Sequence, residues 1–296
     1  MIPKCDVQNS TGDIGFKLTR VGVRGVKKPV CLKRQINGND LTNTMFCTID
    51  VFVDLPATQK GSHLSRNLEA IRDVVDQSAS TPVTGIENFA TDICKLLLVK
   101  HEYAERAEVN IEAEYFKPNH TPNGKETLEC YTLFGGAVGI RGETVRKTIG
   151  VEVIGMSACP CAQQTVSEML NYPEGWPVMT HNQRNVCNVT MSMDEDCDVE
   201  ANGLIDLIED SFSSPTFELL KRDDEGAVVI NAHKNPRFVE DMVRQVLLRI
   251  VQTYKDLPDD VEVDVESNSE ESIHKHDAYA ERYATLGDLR EENLKE

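Results

Sequence analysis

Two cysteines one residue apart, Cys159 and Cys161, lie in the segment Ser157-Ala158-Cys159-Pro160-Cys161-Ala162-Gln163, just past a strongly apolar run. Thiolates at a strand end suit zinc, iron and similar ions, but a single Cys-x-Cys lacks the paired spacing of a structural zinc site. Metal ligation and incidental cysteines both stay open. His181 follows in Thr180-His181-Asn182-Gln183-Arg184, where the chain returns to an apolar run, so it faces the Cys159 strand end as a ligand or as a hydrogen-bonded structural residue. Glu218 stands between Phe217 and Leu219. A carboxylate in apolar company must be paired, protonated or bound to metal, unless it is a surface residue at a segment boundary. Near the C-terminus, His274 and His276 occupy Glu270-Glu271-Ser272-Ile273-His274-Lys275-His276-Asp277. On an extended strand both imidazoles point to one face, which suits a shared metal or proton transfer to one substrate. The competing reading is a solvated loop before a charged tail.

A second group of residues suits anions. Residues 15–39 carry Lys17, Arg20, Arg24, Lys27, Lys28, Lys33 and Arg34 and no acid, in a chain whose net charge is -18. The stretch is either a solvated basic loop or an anion-binding segment. His63, Ser65 and Arg66, in Gly61-Ser62-His63-Leu64-Ser65-Arg66-Asn67, precede a helix. Free amides at a helix start beside an arginine and hydroxyls make a phosphate seat, whereas Ser62 as a plain N-cap is the simpler reading.

These residues need elements to carry them. Residues 45–53 read as a strand, 64–75 as a helix through Leu64, Leu68, Ile71, Val74 and Val75, and 86–97 as a second helix through Ile86, Phe89, Ile93, Leu96 and Leu97. Alternation at 108–116 and 126–138 predicts two strands around a turn, and part of 15–32 supplies an opening strand. The second half repeats the order: strands at 144–156 and 186–193 with a helical excursion at 160–170, helices at 200–212 and 235–255, a strand at 261–266 and a short last strand holding the histidines. Two ββααββ copies give an α+β protein whose helices cover one face of antiparallel sheets, divided as 1–143 and 144–296. Open sheet edges favour an oligomer.

Composition bounds the rest. With 296 residues, 40% hydrophobic and 27% charged, the chain is globular and long enough for two domains. The acidic balance disfavours nucleic acid and anionic membranes as partners. Nine cysteines without short repeated spacings suit a reducing compartment, and no apolar segment predicts export or membrane spanning, so the expected location is cytoplasmic. There is no GxxxxGK[ST] loop, GxGxxG fingerprint or GxSxG elbow.

In combination and order, TRVGVRGVKKPV (19–30), GSHLSRN (61–67), SACPCAQ (157–163), THNQR (180–184), PTFELLKR (215–222), NPRFVED (235–241) and ESIHKHDAYAE (271–281) resemble the GTP cyclohydrolase type IB family over nearly the whole chain. The resemblance implies the tunnelling fold (T-fold), with two tandem ββααββ units per chain and a homotetramer. It implies GTP as substrate and one divalent metal per subunit, Fe(II) first and zinc or manganese as alternatives, held by Cys159, His181 and Glu218. Cys159, His274 and His276 become the catalytic residues, with Cys161 near the metal but not on it. Lys27, Lys28, His63, Arg66 and Arg184 become candidates for the phosphates. Glu271 or Glu240 would anchor the guanine.

Residues 162–180, including Glu174-Gly175-Trp176-Pro177, form a longer link than the bacterial pattern. That is similar to the archaeal branch, which yields 7,8-dihydroneopterin 2',3'-cyclic phosphate for methanopterin-type cofactors. The alternatives are the triphosphate product for folate, a purine- or pterin-binding protein, and a nitrile reductase, against which the HNQR and ESIHKH segments speak.

Overall fold

The computed structural model describes residues 6–12, 14–36, 39–173 and 178–294. In chain order the elements are β1 (Leu18–Ile36), β2 (Asn39–Leu55), α1 (Leu64–Ser80), α2 (Ile86–Lys100), β3 (Arg106–His120), β4 (Glu126–Ile140), β5 (Arg146–Ala158), α3 (Pro160–Leu170), β6 (Asn182–Asp194), α4 (Ala201–Glu209), β7 (Ser214–Pro215), α5 (Arg222–Lys234), α6 (Val239–Thr253), β8 (Glu262–Glu270), β9 (Ala278–Thr285) and α7 (Leu286–Asn293). The described residues thus form an α+β protein with nine strands in one sheet, ordered β1-β2-β3-β4-β5-β6-β8-β9 with β7 added against β5. The pairs β1/β2, β2/β3, β5/β7 and β8/β9 are antiparallel.

Contacts divide the chain into two compact units, one of residues 1–114, 134–149 and 192–198, the other of 115–133, 150–191 and 199–296. In the first unit, α1 buries Asn67, Ala70, Ile71, Val74 and Ser78, while Leu64 and Leu68 are exposed. The expected apolar stripe is therefore shifted, because Asn67 is drawn inward by the buried His101, whose Nε2 lies 2.7 Å from Asn67 Oδ1. His101 Nδ1 meets Tyr103 Oη at 2.9 Å, and Tyr103 Oη donates to Ser62 Oγ at 2.7 Å. Ser62 is thus committed to this chain of bonds and is not the N-cap. That position is His63, whose side chain makes no capping bond. Helix α2 follows expectation, with Ile86, Phe89, Ile93 and Leu97 buried.

In the second unit, Val243, Val246 and Ile250 of α6 are buried, as are Val263 and Val265 of β8. β5 runs to Ala158 and α3 occupies the expected 160–170, whereas Glu174 to Pro177 lie outside the described residues. Two helices were not expected. α5 has an acidic first turn and a basic last turn, which complement the helix dipole, but no clean apolar stripe: Val229 and Ile230 are exposed. α7 is opened by a capping box between Thr285 and Asp288. The C-terminal histidines are not on a strand. β8 ends at Glu270 and β9 starts at Ala278, leaving His274 and His276 on the loop between them.

Two outcomes follow from this packing. A Cβ at Gly155 would lie 2.2 Å from the buried Phe212 ring, where β5 meets β7. Gly155→Ala should therefore cost about 1–3 kcal/mol, read as a lower denaturation midpoint with unchanged slope. Burial, with Arg66 and His63 nearby, lowers the pKa of His101 to about 4. The unfolded chain, with a histidine pKa near ~6.5, takes up this proton first. Stability present above that pH is lost as pH falls toward the folded value. Denaturation at about pH 5 and pH 7 should show this drop, and His101→Gln should flatten it.

Candidate active site

β5 delivers Cys159 to a tightly held position. The Ala158 N–H donates to Ser213 Oγ at 3.2 Å, and the Arg237 N–H donates to Ala158 O at 2.9 Å. Pro160 takes the first position of α3, where its missing N–H costs nothing, and Cys159 Sγ accepts from the Ala162 N–H at 3.5 Å. The Cys159 N–H donates to His181 O at 3.1 Å, and Thr180 Oγ1 donates to Cys159 O at 2.7 Å. The excursion from 160 to 180 is therefore closed at its base, with Cys159 and His181 side by side.

β6 begins at Asn182, so alternation buries Gln183 and exposes Arg184. Gln183 Nε2 lies 2.9 Å from His181 Nδ1 and donates to both Glu271 oxygens, at 3.1 and 3.2 Å. Glu271 Oε2 is itself 3.6 Å from His181 Nδ1. These partners occupy the Nδ1 side of the ring and leave Nε2 for a ligand, the arrangement by which outer groups orient a metal-binding imidazole. The His274 ring stands edge-on to His181 with centroids 6.4 Å apart, and His276 stacks on His274 at 5.3 Å. Both are exposed, so the 271–277 loop brings together the imidazoles that a strand was expected to align.

Glu218 belongs to a different set. With Arg184, Glu129, Tyr131 and Glu209 it lines a pocket of about 220 Å³. Its backbone N–H donates to Glu129 Oε2 at 2.9 Å, while its carboxylate is exposed. Tyr131 Oη donates to Glu209 Oε1 at 2.6 Å, and burial raises the Glu209 pKa despite that bond. Among the described residues, no three His, Cys, Asp or Glu side chains are grouped to hold a metal ion. In kind, the thiol of Cys159, the free Nε2 of His181 and the unengaged carboxylate of Glu218 fit a borderline divalent ion, and the mixture does not select among iron, zinc and manganese.

The anion candidates of the first unit differ in availability. Lys17 pairs with Asp54 at 3.0 Å, Arg20 with Glu108 at 2.9 Å and Arg24 with Asp50 at 2.7 Å. Lys27 and Lys28 lie on β1 opposite Thr48 and Cys47 and have no partner among the described residues. Arg66 Nη1 donates to Lys100 O at 3.0 Å, and His63 Nε2 is 3.6 Å from Asp6. Glu240, the other guanine candidate, is exposed in the first turn of α6.

The sequence alone assigns no role to Gln183, Glu129, Tyr131 and Glu209. Gln183 could have been found by extending the β6 alternation back through the polar run. The other three depend on contacts between distant segments.

A family profile described as type I GTP cyclohydrolase folE2 matches residues 5–280. A GTP cyclohydrolase MptA 1 of Methanocella arvoryzae is 43% identical over 305 residues, covering 98% of this chain and 96% of that protein. The GTP cyclohydrolase MptA of Methanosphaera stadtmanae is 42% identical, with 97% of each chain covered. That of Methanobrevibacter smithii is 43% identical, again with 97% of each covered. Solved structures similar in fold include a hyper-thermostable AgUricase mutant at TM-score 0.51 and 8% identity, covering 90% of this chain and 92% of that one. A hyperthermostable mutant of Bacillus sp. TB-90 urate oxidase gives TM-score 0.50 at 12% identity, covering 90% and 99%. At such identities the likeness speaks for the fold alone. The matched profile and the near full-length relatives make this chain a member of the type I GTP cyclohydrolase family.

Proposed function

We propose that this chain, a GTP cyclohydrolase by family, opens the imidazole ring of GTP, releases C8 as formate and yields 7,8-dihydroneopterin 2',3'-cyclic phosphate for methanopterin biosynthesis. The observation that carries the reading is the joining of Cys159 to His181 at the base of the excursion, with His274 and His276 beside them. The product branch is supported by the relatives named MptA. The order β1-β2-α1-α2-β3-β4 followed by β5-β6-α4-α6-β8-β9, with α3, β7 and α5 inserted, supports two tandem T-fold units at 1–143 and 144–296. A cytoplasmic homotetramer belongs to the same proposal. No helix among the described residues is long and apolar enough to cross a membrane.

Cys159, His181 and Glu218 would hold one divalent metal, Fe(II) foremost, which supplies Lewis acidity for hydrolysis near neutral pH. Gln183 and Glu271 fix the His181 ring from its Nδ1 side. His274 and His276 reach solvent and a substrate together, so one imidazole can give a proton to a departing ring nitrogen while the other accepts one from water. Lys27, Lys28 and Arg184, without partners among the described residues, are available to the phosphates. His63 and Arg66 are further proposed phosphate residues of the first unit, and Glu271 offers a carboxylate to the guanine N1 and N2 donors.

Formate release from GTP under anaerobic conditions, with Fe(II), Mn(II) and Zn(II) supplied separately, tests the activity. Product analysis by mass separates the cyclic phosphate from the triphosphate. Binding of GTP without formate under every metal would leave a purine-binding protein instead. Cys159→Ala should lose bound metal and turnover while keeping its melting temperature, whereas full metal content without activity would make Cys159 something other than a ligand. His274→Asn and His276→Asn should retain metal, and at least one should lower kcat by roughly 10²- to 10⁴-fold with little change in GTP affinity. Wild-type kcat in both variants across neutral and mildly alkaline pH removes the pair from the chemistry.

A further inference from the structure

We propose that Glu129 of β4 is a positioning residue for Glu218, setting the affinity of the metal site through the Glu218 backbone. The inference rests on the reading of Glu218 as a ligand. Residues 216–221 form neither helix nor strand, so the direction of the Glu218 carboxylate depends on what tethers the segment. At its start, Thr216 Oγ1 donates to Ile154 O at 2.8 Å. At its end, the Lys221 N–H donates to Asp224 Oδ2 at 3.3 Å, and Asp224 Oδ1 accepts the Asn123 N–H at 3.1 Å. Between these, the Glu218 N–H donates to Glu129 Oε2 at 2.9 Å.

Glu129 is 5% exposed. A carboxylate that buried is costly unless hydrogen-bonded, yet its described partners are two neutral donors, the Glu218 amide and Thr127 Oγ1 at 2.7 Å, and no cation. Packing alone would be served better by an apolar side chain. What the carboxylate does that an apolar residue cannot is accept the amide of residue 218, fixing φ at that residue while the Glu218 side chain stays unengaged. Thr127 holds the other oxygen, so the acceptor cannot rotate away. A ligand residue whose backbone is held in this way loses less freedom on binding metal, and loss of such outer contacts commonly weakens metal affinity by about 10–100-fold.

The test is metal binding by the full chain, read by competition of Zn(II) with a chromophoric chelator and by anaerobic Fe(II) titration. Glu129→Ala should weaken binding by about 10–100-fold. Glu129→Gln, whose amide oxygen still accepts the Glu218 N–H, should restore most of it. In the folded Ala variant, trypsin should cut faster after Lys221 and Arg222. Saturating metal should return kcat toward wild type, an effect that general destabilisation would not give. Unchanged metal affinity in folded Glu129→Ala, with or without a lower melting temperature, overturns the proposal. Should that variant not fold, Thr127→Val decides: it frees the same carboxylate at near-constant volume, and an unchanged affinity there is equally fatal. Glu218→Ala separates the two ideas. Wild-type metal affinity in that variant removes the ligand and the proposal with it, whereas loss of metal there but not in Glu129→Ala removes only the positioning role.

Discussion

The proposed site in the second unit depends on the closure between Cys159 and the 180–181 segment. A donor from the Cys159 amide to His181 O and an acceptor at Cys159 O for Thr180 Oγ1 tie the two ends of a long excursion. Without that closure, the entropy of a loop some twenty residues long would separate a thiol from an imidazole. With it, the excursion can vary in length and content without moving either side chain. The same logic explains why Ala158 is gripped by both Ser213 and Arg237: the last residue of β5 has to be as rigid as the strand interior.

The strands leading to this point change character along one face. Within the second unit, the buried residues of that face run Val151, Val153, Gly155, Ser157 on β5; Met191, Val189, Cys187, Asn185, Gln183 on β6; and Val263, Val265, Ser267, Ser269 on β8. Each inward face passes from apolar to polar toward the end that carries Cys159, His181 and the histidine loop. The polar ends bond to one another, Ser157 to Gln183 and Ser269, and Ser267 to Asn185, but Asn185 Nδ2 is buried without a partner. A buried unsatisfied donor costs about 1–3 kcal/mol. A sheet serving only as core would continue with valine, and this polar end is the one that carries the proposed site.

How much of this was legible in the sequence depended on whether a pattern was local. Helices α2 and α6 are legible from periodicity, and Cys159, His181 and the two C-terminal histidines stand out as candidates by residue type. Helix α5 was missed because it does not bury a regular stripe, although Asp223, Asp224 and Glu225 at its start and His233 and Lys234 at its end spell out a helix by charge. A strand would align the two histidines by alternation, whereas the loop between β8 and β9 stacks their rings as well. Glu129 carries no local signal: its significance lies in an amide 89 residues away.

The charge balance sets the last constraint. A chain of net charge -18 repels a polyanion at long range, but fields from exposed charges are screened beyond about 8–10 Å at physiological salt. What matters to a phosphate is then the cations within that distance, and pairing decides which of those are free. Just before and along β1, Asp54, Glu108 and Asp50 neutralise Lys17, Arg20 and Arg24 in turn, and the Asp50 carboxylate also takes the Gly25 N–H at a bulge where φ is +70°. The bulge shifts the register before Val26, and beyond it Lys27 and Lys28 face Thr48 and Cys47, neither of which is an acid. One carboxylate thus performs two tasks: it silences the arginine before the bulge and fixes the turn that carries the following lysines past the acidic residues of β2. The strand is basic in composition but selective in where it leaves positive charge uncommitted.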